Sequence, residues 1–168
     1  MSQNRELRCY DYVNRPYAAV REILRADVRG VFARATNHAS SRAEELAAQL
    51  KLRLGALALA ADVEILDLSL EEGTGPFGGP ATRFGIDWRS LRRPALFPVM
   101  HASLSIYALS AYETQLDFEG RYDPPLGLVG DAIDALVGGR IAEACVLRFV
   151  QEVARQLRLE LGAEARCE

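Results

Sequence analysis

Residues 100–122 alternate between apolar and polar side chains on both sides of a central turn, and this pattern constrains the fold most strongly. A period of two residues predicts β-strands with one buried face, and a turn near residues 109–113 joins two of them into an antiparallel hairpin. A slip of one residue would mix the two faces, so the pattern fixes the pairing. The predicted register pairs Ile106 with Leu116, Leu104 with Phe118, Ala102 with Gly120, and Met100 with Tyr122.

The centre of this hairpin has only small residues on its apolar face, because Ala102 lies opposite Gly120. One interpretation is that the sheet lines a cavity, since this pair leaves volume and glycine lets a strand bend. The other is that another side chain, such as Phe149, fills the gap as ordinary core packing. The opposite face is polar and collects His101, Ser103, Ser105 and Tyr107 against Arg121, Glu119, Asp117 and Gln115.

More strands are predicted before the hairpin. A first strand covers about residues 6–13, and "LKLRL" at 50–54 alternates as well. In "DVEILDLSLEEG" the apolar residues change phase between Ile65 and Leu66, which predicts a β-bulge. "TRFGIDW" places Phe84, Ile86 and Trp88 on one face.

Two short helices are predicted after the first strand. Pro16 suits the first turn of the first helix, and Asp27 is a candidate N-cap for the second, "VRGVFARAT". "NHASS" at 37–41 predicts a break, followed by a short helical turn in "RAEELAAQ".

The longest predicted helix ends the chain. It follows Pro124 and Pro125 and runs to about Leu161. About 30 residues make a rod of ~45 Å, long enough to cross a whole sheet. Its apolar stripe consists of Ile133, Val137, Ile141, Cys145, Phe149 and Val153.

The length and composition of the chain favour a single domain over residues 1–168. With 49% hydrophobic and 26% charged residues, the chain has the balance of a soluble globular protein. A net charge of −3 gives no overall field for nucleic acid. We find neither an apolar segment of about 18 residues nor an apolar signal region at the start, so we expect no integral membrane segment and a cytoplasmic location. The three cysteines have no metal-ligand spacing, and we expect no cofactor.

The order strand, two helices, antiparallel strands and long terminal helix resembles the helix-grip, START-like superfamily, which includes polyketide cyclases and dehydratases, lipid-transfer domains and plant pollen allergens. The resemblance covers nearly the whole chain. It depends on "YDYVNRPYAAVREIL" and on "ETQLDFEGRYDPPLG" before a long helix. The segments "ETQLDFEG" and "PPLG" are also similar to segments of an uncharacterised bacterial branch of the superfamily.

The resemblance implies an α+β fold in which a curved antiparallel sheet grips the C-terminal helix around an apolar cavity. The expected partner is a small hydrophobic molecule, lipid or polyketide-like, that is bound or carried there. The sequence does not indicate the oligomeric state. The expected wall consists of Phe84, Ile86, Trp88, Met100, Ala102, Leu104, Leu116, Phe118 and Tyr122, closed by Ile141, Cys145 and Phe149.

Three alternatives stay open at this stage. A cyclase- or dehydratase-like enzyme would use Tyr122 or Asp11 for proton transfer, and Asp11 faces the cavity only if Tyr10 and Tyr12 face outward. A partner-binding module would use the outer polar face. A cone-shaped barrel of the nuclear-transport-factor type is the rival fold, although it usually ends in strands.

Overall fold

The computed structural model describes residues 5–49, 63–90, 100–122 and 132–164, with side chains over most of these ranges. Five strands form one antiparallel sheet in the order β1-β5-β4-β3-β2, and this confirms the α+β prediction. The elements in chain order are β1 (Arg5–Val13), α1 (Tyr17–Gln49), β2 (Val63–Thr74), β3 (Pro80–Ser90), β4 (Met100–Ser110), β5 (Glu113–Tyr122) and α2 (Ala132–Glu164).

The predicted hairpin register is confirmed. Ala102 lies opposite Gly120, and the other three predicted pairs occur as well. The strands continue further toward the turn than expected, to Ser110 and from Glu113, because the register shifts between Ala108 and Ser110. This irregularity keeps the apolar residues on one face while the loop stays short.

The phase change in the second strand is also confirmed as an irregularity of pairing. The register between β2 and β3 shifts between Ile65 and Asp67, so the apolar residues that follow return to the same face. The segment 50–54, predicted as a strand, lies outside the described residues.

Helix α1 contains the predicted cap in its interior. Asp27 has non-helical angles (φ −144°, ψ 49°) that divide α1 into two helical segments. The backbone N–H of Gly30 donates to Asp27 Oδ1 at 3.0 Å, the N-cap contact of the second segment. A Cβ at position 30 would collide with that carboxylate, so glycine makes the cap possible.

The break predicted at "NHASS" is wrong, because α1 continues through it to Gln49. The second segment is therefore much longer than the short helix that we expected. Ala35, Thr36 and Ala39 are buried just before and within this stretch, where α1 packs on α2. Such packing stabilises a helix whose local propensity is weak.

Both helices cover the same face of the sheet, which we call the inner face. Alternation in β1 buries Leu7 and Val13 on this face and leaves Tyr10 and Tyr12 68% and 47% exposed. The ambiguity of the first strand is thus resolved, with Asp11 on the inner side. Within the described ranges, neither helix has an apolar stretch long enough to cross a bilayer.

Candidate functional site

Five aromatic side chains meet between the inner face and the two helices, and we call them the aromatic cluster. They come from four elements: one from each helix, two from β3 and one from β5. Phe84 and Trp88 share the inner face because they are four residues apart on a strand. The cluster consists of Phe32, Phe84, Trp88, Phe118 and Phe149, all at most 8% exposed.

The rings of the cluster form a continuous set of contacts. Trp88 and Phe118 are stacked at 5.7 Å between ring centroids, and Phe149 meets the Trp88 ring edge-on at 4.8 Å. Phe32 in turn meets Phe84 at 5.9 Å and Phe149 at 5.6 Å. These are favoured aromatic geometries, so the cluster couples both helices to the middle of the sheet.

The small pair at the centre of the hairpin makes room for one of these rings. A Cβ added at Gly120 would lie 2.9 Å from Cε1 of Phe118 and 3.4 Å from Cβ of Ala102. The Phe118 ring therefore lies beside the glycine of its own strand, and Phe149 packs on that ring at 6.0 Å. Aromatic rings thus occupy the volume next to the Ala102–Gly120 pair.

The register brings all nine predicted strand residues to the inner face. Phe84, Ile86, Leu104, Leu116, Phe118 and Phe149 are at most 1% exposed. Four other predicted residues, Met100, Ala102, Tyr122 and Cys145, are only partly buried. The side chain of Ile141 lies outside the described residues.

Three of the partly buried residues lie together at one end of the inner face. Trp88, Met100 and Tyr122 form one row across β3, β4 and β5, and Ala102 lies in the next row on the same face. We call this end of the inner face the mouth.

Sequence reasoning missed Phe32, which the structure places in the middle of the cluster. Val20, Leu24, Val31 and Ala35 are buried along the same helix. The apolar spacing of "VFARA" was a usable signal, but only the pairing of α1 with α2 shows that Phe32 faces Phe149.

The indole nitrogen of Trp88 is the polar atom of the cluster. Trp88 is 8% exposed, and its indole Nε1–H has no hydrogen-bond acceptor in the described part of the chain. A buried donor that lacks an acceptor costs about 1–3 kcal/mol. Among the described residues, this donor is therefore an unsatisfied polar group on the inner face.

The ionisable groups of β1 are constrained by their neighbours. Arg158 Nη2 donates to Asp11 Oδ1 at 3.2 Å, and the Tyr12 backbone N–H donates to the same oxygen at 2.8 Å. Burial, with Asp117 and Asp11 nearby, raises the pKa of the Cys9 thiol to about 12. Cys9 is therefore a neutral thiol at ordinary pH. No group of three or more His, Cys, Asp or Glu among the described residues could hold a metal ion.

The outer face of the sheet has an open trough of about 560 Å³. Its charged side chains pair across strands: Arg8 with Asp117 at 2.8 Å, Arg121 with Glu6 at 3.0 Å and His101 with Asp87 at 2.8 Å. His101 is thus on the polar face, as the register predicts.

A groove of about 400 Å³ lies between α1 and α2 beside a buried carboxylate. Glu152 is 1% exposed and accepts from Nε of Arg155 at 2.9 Å, while His38 Nε2 lies 3.6 Å away. These contacts, led by the Arg155 hydrogen bond, lower the pKa of Glu152 although burial opposes them. The carboxylate is thus held ionised between the helices.

An antiparallel sheet whose inner face is covered by a long C-terminal helix is a helix-grip fold. The rival barrel fold usually ends in strands, whereas here the long helix α2 follows β5. This class was predicted from the order of elements, and the structure confirms it.

Three solved structures are similar to this chain. The ZhuI aromatase/cyclase from Streptomyces sp. R1128 is 15% identical, with a TM-score of 0.52 over 95% of this chain and 96% of that chain. A protein from Thermus thermophilus is 13% identical, with a TM-score of 0.46 over 91% and 97%. Norcoclaurine synthase from Thalictrum flavum, solved with dopamine and hydroxybenzaldehyde, is 7% identical, with a TM-score of 0.38 over 93% and 87%.

No family model matches the chain, and no curated protein matches it significantly. At these identities the solved structures show the fold alone. Of the three, ZhuI is the comparison with a TM-score above 0.5.

Proposed function

We propose that this chain binds a small hydrophobic molecule between the inner face and the helices, with the predicted pocket residues as its wall. The observation that carries the proposal is the aromatic cluster beside the incompletely covered mouth. The cluster offers flat apolar surfaces, and Met100, Ala102 and Tyr122 give a molecule a way to reach them. ZhuI, named as an aromatase/cyclase, has the same fold.

The ligand enters at the mouth and displaces the ring that lies beside Gly120. The Phe118 ring lies beside Gly120, whose partner across the hairpin is the small residue Ala102, so rotation of the ring opens volume next to this pair. Burial of about 200 Å² of apolar ligand surface contributes about 5 kcal/mol. Aromatic walls favour flat ring systems, and a polyketide-like ligand suits them better than a lipid chain.

Two adjacent residues on opposite faces give a matched test. Ala102→Leu adds side-chain volume to the mouth, whereas Ser103→Leu adds it to the outer face. With fluorene as probe, we expect calorimetry to show at least about a tenfold loss of affinity for Ala102→Leu and less than about a twofold change for Ser103→Leu, since 1.4 kcal/mol corresponds to a factor of ten. Equal affinities in both variants, with both folded by circular dichroism, would contradict the proposal.

A cyclase- or dehydratase-like reaction would depend on Tyr122, in the same row as Trp88, because Asp11 is paired with Arg158. A partner-binding outer face would have to compete with ion pairs that already join its strands. A single domain over 1–168 and a cytoplasmic location remain predictions.

A further inference from the structure

The ligand of the inner face must also suit the one buried donor there that has no acceptor among the described residues. We propose that it carries a hydrogen-bond-accepting oxygen, such as an aryl ketone or quinone carbonyl, and that Trp88 Nε1–H donates to this oxygen. This inference rests on the proposed binding function and deepens it, because it specifies the chemical class of the ligand and the residue that selects it.

The position of Trp88 supports this role. The indole ring is in edge contact with Phe149 at 4.8 Å, and this contact holds it when the ligand displaces the Phe118 ring that stacks on it at 5.7 Å. It lies opposite the partly buried Met100 at the mouth. A rigid donor at the entrance of an apolar site can orient a ligand by one hydrogen bond while the rings hold its apolar body.

The energetics favour an acceptor over a plain hydrocarbon. In the part of the chain that the structure describes, Trp88 Nε1–H has no acceptor. A bound hydrocarbon offers none either, so the indole N–H stays buried without a hydrogen bond and its free-energy cost remains. A carbonyl oxygen removes that cost and adds a hydrogen bond. The neutral thiol of Cys9 lies one strand from Phe118 and competes only weakly as a donor.

The test uses two tricyclic probes of nearly equal size, fluorenone and fluorene, which differ by one carbonyl group. We expect calorimetry to show about 5–10-fold tighter binding of fluorenone to the wild-type protein, the range of a net hydrogen bond. The chain has a single tryptophan, so growth of a tryptophan auxotroph on β-(3-benzothienyl)alanine replaces one N–H by sulfur and changes no other position. This replacement should abolish the preference and leave fluorene affinity within about twofold of wild type.

The same indole gives an independent spectroscopic readout. Its one ¹⁵N–¹H cross-peak should move downfield in the proton dimension with fluorenone, the direction of a new hydrogen bond, and not with fluorene. Equal affinities of the two probes, or an equal preference in the sulfur-substituted protein, would overturn the role of Trp88 while the binding site stands. Failure of both probes to bind would overturn the role of Trp88 and the proposed function together. A ligand-free indole proton already at the hydrogen-bonded position would overturn the role alone.

Discussion

Gly120 explains at the scale of one residue why the hairpin has a small pair at its centre. The pairing with Ala102 was predictable from alternation alone, since a one-residue slip would expose every apolar side chain of the strand. The side chain that would occupy the space was not predictable. Phe149 was the expected candidate, and the ring that lies beside Gly120 is that of Phe118. Which ring fills a gap depends on rotamers set by both helices.

Gly120→Ala should therefore destabilise the fold, because the new methyl group forces the buried Phe118 ring away from Trp88. Gly73→Ala is the matched control, since a Cβ there meets nothing within 4 Å. We expect the free energy of unfolding in urea to fall by about 1–3 kcal/mol more for Gly120→Ala than for Gly73→Ala. Equal stability of the two variants would contradict the ring placement.

At the scale of one element, α1 shows which part of a helix can be read locally. Asp27 has the chemistry of a cap, and the structure places its carboxylate on the Gly30 N–H. The continuation of the helix through "NHASS" has no comparable local signal. It follows from burial of Ala35 and Ala39 within the packed helices, which a single sequence does not display.

Asp27→Ala should lower the free energy of unfolding by about 1 kcal/mol, because the Gly30 N–H loses its acceptor. Asp27→Asn keeps an acceptor oxygen but removes the charge that faces Arg34 at 3.5 Å. Since exposed ion pairs contribute little, the asparagine variant should keep most of the stability in thermal unfolding. An equal loss in both variants would show that the ion pair, and not the cap, is what matters.

The contact between α1 and α2 predicts a dependence on acid. The pKa of Glu152 is lowered in the folded protein, so its ionised form stabilises the fold above the usual glutamate value of 4.5 and this contribution is lost as pH falls through the lower folded value. The groups that face it are Arg155 and Gln156 on α2 and His38 on α1.

Wild type should be more stable than Glu152→Gln by about 1–3 kcal/mol at neutral pH, and the difference should shrink in progressively more acidic buffers. Glu143→Gln, which changes an exposed glutamate of the same helix, is the control and should show no such difference. Urea unfolding at several pH values measures the difference in the free energy of unfolding between wild type and each variant. A stability difference that stays constant through the acidic range would contradict the claim that the ionised Glu152 carboxylate stabilises the fold.

At the scale of the whole molecule, the order of elements and the register of the β4–β5 hairpin were predictable from one sequence, and so was the shared face of nine members of the proposed wall. Alternation assigns a residue to a face, and that is enough to bring Phe84, Trp88 and Phe118 together. Contacts from the helices were not predictable in the same way. Phe32 and the unpaired indole N–H depend on how two helices pack against a sheet.

The central claim is that a hydrophobic molecule binds on the inner face. It is tested most directly by isotope-filtered nuclear Overhauser spectra of labelled protein saturated with unlabelled fluorene. We predict contacts from the fluorene protons to the rings of Trp88, Phe118 and Phe149. Contacts confined to outer-face residues such as His101 and Ser103, or no binding of fluorene, would contradict the claim.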